Sequence, residues 1–250
     1  MSLPIALQTY TVREQMARSF ERTITRVAEI GYPALEITFE IPGASLSQAQ
    51  KLFSKLGFQL PAAHAPLPLD DKRSAVLDFA EMFGVKTLGF SGGRQEFASL
   101  DGIRRLCGRI NDAYAIAADR GLSLAYHNHW WEFAVLEDRL GFDVMLELLD
   151  PGVVFEVDTY WVQTGGQSAS ELVTRLGERA PLLHIKDGPA TEKESMVAVG
   201  QGVLDFHAII PAATGAQVLI VELDRCATDM LRAVDESYRY LVGEGLAHGR

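Results

Sequence analysis

Residues 100–127 read LDGIRRLCGRINDAYAIAADRGLSLAYH. Leu100 to Arg120 is a long amphipathic run that predicts a helix, and Gly121 follows it where a left-handed C-cap belongs. Ser123 to His127 is then short and mostly apolar, as a strand buried on both faces must be. The same helix–glycine–strand junction recurs upstream. Ser19–Ile30 closes at Gly31 before Ala34–Phe39, and Asp71–Phe83 closes at Gly84 before Thr87–Ser91. Ser45–Leu56 opens on a Ser-x-x-Gln capping pattern (Ser45, Gln48) and closes at Gly57 before Gln59–His64.

Further strands are predicted at Pro4–Thr9, Val153–Asp158, Leu182–Lys186 and Val218–Leu223. Further helices are predicted at Asp143–Leu149, Ser168–Leu176, Phe206–Ala213 and Thr228–Val242. Strict alternation demands a parallel sheet with right-handed crossovers. Eight such units in 250 residues predict one α/β domain, a single (β/α)8 TIM barrel over residues 1–250. A doubly wound open sheet would more often carry a glycine-rich phosphate loop after its first strand. Here Gln8-Thr9-Tyr10-Thr11 follows, without glycine. No linker or low-complexity tract divides the chain, and the tail 243–250, with its glycines, is expected to fray.

Composition narrows the partners. Hydrophobic residues make up 48% and charged residues 22%, an ordinary globular balance. The net charge of -10 opposes phosphate backbones and anionic lipid, so nucleic acid and membrane partners are not expected. Cys107 and Cys226 lie far apart and outside any Cys-x-x-Cys pattern, which predicts reduced thiols. The N-terminus lacks a basic segment followed by a long apolar one. A cytoplasmic location is the expectation.

Nearly every predicted strand ends on a polar or ionisable residue: Gln8, Glu36, His64, Ser91, His127, Asp158, His184 with Lys186, and Glu222. In a barrel these ends share one face, where active sites form. One polar residue at a strand end is commonly a cap or a solvated rim residue, but the set is harder to explain that way. Asp158 and Glu222 sit in very apolar strands, and a buried carboxylate without a partner is costly. A cation near them is therefore predicted, and the neighbouring histidines favour a metal over a basic side chain.

The stretch Tyr126-His127-Asn128-His129-Trp130-Trp131-Glu132-Phe133 resembles the YHNHxxEF segment of one branch of the sugar phosphate isomerase/epimerase family, the xylose-isomerase-like TIM barrels. Val157-Asp158-Thr159-Tyr160-Trp161, His184-Ile185-Lys186-Asp187, the glycine turn Gly200–Asp205 and Val221–Asp224 resemble it in the same order. So does Leu7–Arg13. The resemblance spans essentially the whole chain. It implies one divalent metal ion (Mn, Zn, Co or Mg) bound by a Glu, an Asp, a His and a second Glu. Asp158, His184 and Glu222 match three of those positions. Where many relatives carry the remaining Glu, this chain reads His127-Asn128-His129. Either Glu132 reaches back from the loop, or His127 is the ligand and Glu132 supports substrate. The first is favoured because a hard oxygen ligand suits a Mn- or Mg-type ion.

The activity so implied is a metal-dependent sugar or polyol isomerase/epimerase that moves a proton next to a carbonyl through an enediolate. Glu222 is the expected base and Glu132 its partner, with His127 or His129 as substitutes. His64, His127, His129, Trp161, Lys186, Arg225, Gln8 and Glu36 are expected to bind substrate, with Trp130, Trp131 and Trp161 as an apolar wall. Lys186 is expected to neutralise an oxyanion or to pair with Asp187 or Glu36. A dehydratase (lyase) acting on a keto-inositol-like cyclic polyol shares the first step. Endonuclease IV-like DNA repair and non-catalytic sugar binding are more remote readings. A homodimer is an assembly open to a barrel of this kind.

Overall fold

The computed structural model describes residues 2–250. Its main sheet is a closed parallel barrel of β1 (Leu3–Gln8), β2 (Ala34–Thr38), β3 (Ala63–His64), β4 (Thr87–Phe90), β5 (Ser123–His127), β6 (Val154–Asp158), β7 (Leu182–Ile185) and β8 (Val218–Val221). Each strand pairs with the next, and β8 closes onto β1 through Ile5↔Leu219, Ala6↔Ile220 and Leu7↔Val221. The principal outer helices are α1 (Arg13–Ile30), α2 (Leu46–Lys55), α3 (Arg73–Phe83), α4 (Leu100–Ala118), α5 (Gly141–Leu148), α6 (Thr159–Thr164), α7 (Ala169–Leu176), α8 (Phe206–Ala212) and α9 (Met230–Gly243). The chain is thus a single (β/α)8 TIM barrel.

The two-residue period of a strand explains how the interior is divided. One face of the strands packs against the helices in a large apolar layer. The other contributes Ala6, Ala34, Ala62, Ala125, Leu182, Val218 and Ile220 to a second, smaller apolar cluster, with Val154 beside it. One residue pair further along these chains, the same parity brings Gln8, Glu36, His64, His127, Glu156, His184 and Glu222. The barrel is therefore apolar at the N-terminal ends of its strands and ionisable at the C-terminal ends. Gly89 takes the inward place on β4, where a Cβ atom would come 2.6 Å from the His64 ring.

Local signals are realised in detail. Gly84 and Gly121 both take φ +67 after their helices, a conformation that only glycine adopts freely. The Ser45–Gln48 capping box forms reciprocally at the start of α2. Ser45→Ala should lower stability by about 1 kcal/mol, read as a shift of the urea midpoint without change in slope.

Several expectations need correction. The run predicted at 59–64 pairs as a strand only over Ala63–His64, with Gln59 bridging Ala34 in isolation. The helix predicted from Ser19 begins at Arg13 and breaks at Ser19, whose backbone is extended. Helix α6 and a small hairpin pairing Val135–Leu136 with Arg139–Leu140 were not anticipated. The tail expected to fray instead lays Ala247 and His248 beside Leu3 and Pro4. Leu246 and Ala247 are buried there, and the Arg250 guanidinium covers the Phe58 ring. Cys107 and Cys226 are free. Among the described residues no helix is long and apolar enough to cross a membrane.

Candidate functional site

The C-terminal ends of the strands surround a cavity of about 470 Å³. Gln8, His64, His127, Lys186 and Glu222 reach it from the barrel, Tyr10, His129, Trp130 and Trp131 from the segments after β1 and β5, and Trp161 from α6. Glu36, Asp158 and His184 lie beneath it, with no exposed surface.

Two sets of four side chains each bring one ligand atom within 4.8 Å of the others. The first set is His127, Asp158, His184 and Glu222; the second is His64, His127, Glu156 and His184. The two shared histidines present different nitrogens to each. His184 Nδ1 lies 2.8 Å from Glu222 Oε2, while its Nε2 lies 2.7 Å from Glu36 Oε2 and 3.4 Å from Glu156 Oε2. His127 Nδ1 lies 3.1 Å from Glu156 Oε2, and its Nε2 lies 3.7 Å from Asp158 Oδ2. His64 Nε2 hydrogen-bonds Glu156 and stands 3.7 Å from Glu36 Oε1.

Asp158 divides its carboxylate. Oδ1 accepts from the Trp161 N–H at 2.8 Å and so caps α6, which fixes the side chain. Oδ2 is buried with no well-aligned hydrogen bond, although Lys186 Nζ stands 3.0 Å away. Both observations hold together: the contact is ionic and its geometry is poor. Glu36 Oε1 and Glu156 Oε1 are likewise buried without a partner.

The electrostatics bear on whether a metal fits. Four buried carboxylates, Glu36, Glu156, Asp158 and Glu222, share the site with one buried ammonium, Lys186, which contacts only Asp158 and Glu222 among them. Protons supply much of the remaining positive charge. Burial opposes charging His64, yet Glu156 and Glu36 raise it to about 9. Burial likewise opposes charging His184, and Glu156, Glu36 and Glu222 hold it well above the usual imidazole range. Burial and the neighbouring Glu156 push Glu36 up to about 7, and burial lifts Asp158 to about 6. His127 goes the other way: burial and His184 lower it to about 3, leaving a neutral imidazole. A cluster that gathers protons in this manner can exchange them, released to solvent, for a divalent ion. Its mixed nitrogen and carboxylate donors suit Mn, Zn, Co or Mg. The residues present fit such an ion.

Glu132 joins neither four-residue set. It is fully buried behind the loop, accepting from Tyr126 Oη–H at 2.8 Å and from the His129 N–H at 2.9 Å. Gln8 donates from Nε2 to Glu36 Oε2 at 2.7 Å and accepts from the Tyr10 N–H at 3.0 Å. Lys186 pairs with neither Asp187 nor Glu36 but with Asp158, Glu222 and Asp224. Arg225 lines the cavity while its guanidinium donates to the carbonyls of Glu192 and Glu194, so it ties down the loop after β7. Asp187 anchors that loop from inside, accepting from the N–H groups of Gly188, Gly200, Gly202 and Leu204. The His129 ring stacks on Trp131 at 4.1 Å, and Trp130 meets Trp161 at 4.6 Å, forming an aromatic wall.

Glu156 was missed. Its signal was available, because it precedes Asp158 by two residues and so shares that residue's face of the strand.

A family model described as a xylose isomerase-like TIM barrel matches residues 24–241. Among solved structures, a sugar phosphate isomerase/epimerase from Parabacteroides distasonis superposes with a TM-score of 0.84 at 21% identity, covering 99% of this chain and 96% of its own. An L-ribulose 3-epimerase superposes with a TM-score of 0.70 at 16% identity, covering 98% and 95%. The IolI protein with a bound zinc atom gives 0.70 at 14% identity, covering 96% and 97%. A search of curated proteins by sequence returned no match.

Proposed function

This chain belongs to the xylose isomerase-like TIM barrel family, and on that premise we propose that it is a divalent-metal-dependent sugar or polyol isomerase/epimerase. The observation that carries the reading is the convergence of His127, Asp158, His184 and Glu222 within 4.8 Å. Two of the four, His127 and Glu222, border the cavity. The other set also reaches the cavity, through His64 and His127, but offers one carboxylate against two. His127 here takes the position at the end of β5 for which Glu132 was the favoured alternative.

When bound, a divalent ion would supply Lewis acidity toward a carbonyl oxygen. The protein's own groups do the rest. Glu222 keeps 7% side-chain exposure, and Lys186 and His184 hold its carboxyl well below the usual range against the effect of burial. It is therefore ionised at neutral pH and can take a proton from a carbon next to a carbonyl. His64 borders the same cavity, and Glu156 and Glu36 keep it protonated. It is suited to donate a hydrogen bond, or its proton, to a substrate oxygen. Trp130 and Trp161 offer an apolar face for a sugar ring. Glu132 acts at one remove, by fixing the His129 backbone.

The test is proton exchange. Metal-loaded protein is incubated in heavy water with a panel of ketoses and keto-polyols, and loss of the α-proton signal is followed by NMR. Exchange that depends on the metal is expected for at least one substrate. An enone absorbance from a keto-inositol would move the reading to the dehydratase. Bound metal with no exchange anywhere would move it to sugar binding without catalysis. Metal at about a hundred times its Kd should also stabilise the fold by about 2.7 kcal/mol. That gain, measured as a rise in Tm, should disappear in Asp158→Asn.

A further inference from the structure

Lys186 is 1% exposed, and its ammonium stands on the oxygens a metal would need. Nζ lies 2.8 Å from Glu222 Oε2 and 3.0 Å from Asp158 Oδ2. Both carboxylates belong to the first set with His127 and His184. A divalent ion placed there would share these oxygens with an ammonium at close range, and the two cations would repel strongly in so buried a site. The ammonium already has a further partner on which it can stay. Asp224 Oδ1 and Oδ2 both lie 3.1 Å from Nζ, and Asp224 borders the cavity with 26% of its side chain exposed. The Trp161 ring, 5.6 Å from Nζ, offers a further contact at the cavity. The poorly aligned contact to Asp158 Oδ2 is one a flexible lysine stem can give up.

We infer that Lys186 is a built-in competitor for the metal: its ammonium neutralises Asp158 and Glu222 when the ion is away and withdraws onto Asp224 when the ion binds. This rests on the metal reading above and adds a residue that sets how tightly the ion is held. The competition has two sides. Without an ion, Lys186 keeps two carboxylates from repelling each other, so the site stays formed. With an ion, the displaced ammonium is left beside the cavity at Asp224.

The test is a titration with Mn²⁺ or Zn²⁺ by calorimetry and equilibrium dialysis on the full chain, with melting curves in parallel. Lys186→Met should bind the ion at least tenfold more tightly than the parent. Its metal-free form should melt lower, and saturating metal should restore it. Asp224→Asn should bind severalfold more weakly in the parent, because the ammonium has lost the carboxylate that holds it away from the ion. The same substitution should have little effect in the Lys186→Met background. Tight binding by Lys186→Met where the parent binds none would also support the inference. Equal or weaker binding by Lys186→Met would overturn it and leave the metal reading standing. So would an Asp224→Asn effect of equal size in both backgrounds. If neither parent nor Lys186→Met binds either ion, the metal reading falls and this inference falls with it. Should Lys186→Met fail to fold, Asp224→Asn decides: affinity unchanged or raised would overturn the inference.

Discussion

Glu222→Gln is expected to slow α-proton exchange by a factor on the order of 10² to 10⁴, the range that a positioned general base contributes. The substitution is nearly isosteric, and its consequences can be read from the contacts. Glu222 Oε2 faces His184 Nδ1 at 2.8 Å and Lys186 Nζ at 2.8 Å. An amide oxygen can keep both contacts in the ion-free protein and can face the ion once Lys186 withdraws. The amide nitrogen then replaces the oxygen that is free to take a proton, and it cannot take one. Metal content should therefore persist while exchange collapses, which measuring bound metal per chain alongside the NMR assay would establish. Unchanged exchange would end the base assignment. Joint loss of metal and exchange would confine Glu222 to a ligand's role. The companion substitution Asp158→Asn should behave differently. Asp158 Oδ1 caps α6 and Oδ2 faces the ligand set, so asparagine should keep the cap through its amide oxygen and lose the metal.

The barrel was legible because its punctuation is local. Each glycine that closes a helix acts within one turn, and the short apolar strands admit only a sheet covered on both faces. What the sequence hid was set by tertiary contacts. Nothing local marks the end of Gln59–His64 as the pairing segment; that follows from where β2 and β4 lie. The tail was misread because glycines at 243, 245 and 249 suggest mobility, whereas Leu246 and Ala247 find a buried place beside β1.

The candidate site was legible in its membership more than in its geometry. Asp158, His184 and Glu222 stood out as ionisable residues inside apolar strands, and they do converge. Glu156 carries the same signal but sits in mid-strand, away from the strand end that marks the other ionisable residues. Glu132 illustrates the opposite difficulty. Its chemistry suits a ligand, but a residue five positions past a strand end is placed by its loop. That loop turns the carboxylate toward Tyr126 and the His129 backbone. Lys186 shows how pairing depends on parity. It shares a face with His184, so it meets the carboxylates of β6 and the end of β8, while its sequence neighbour Asp187 turns to the loop amides.

The Glu132 arrangement leads to a pH effect on stability. Burial drives its carboxyl up from 4.5 to about 8, although Tyr126 and the His129 N–H both donate to it. The folded state thus holds a proton that the unfolded chain releases near 4.5. Stability from this group is fully present below that value and is lost as pH rises toward about 8. Glu132→Gln imitates the neutral acid. Its oxygen can accept from His129, and its NH₂ can donate to the Tyr126 oxygen, which already accepts from Gly92 N–H at 3.2 Å. Relative to the parent, the variant should therefore gain stability as pH rises. The gain should be on the order of 3 kcal/mol between about pH 5 and about pH 8, at roughly 1.4 kcal/mol per unit. Comparing the two proteins removes the contributions of the other titrating groups, and a chelator keeps metal out of the measurement. Urea unfolding at each pH reads the difference directly. A difference that stays constant across this range would mean that Glu132 is ionised throughout. The Tyr126 and His129 donors would then outweigh its burial.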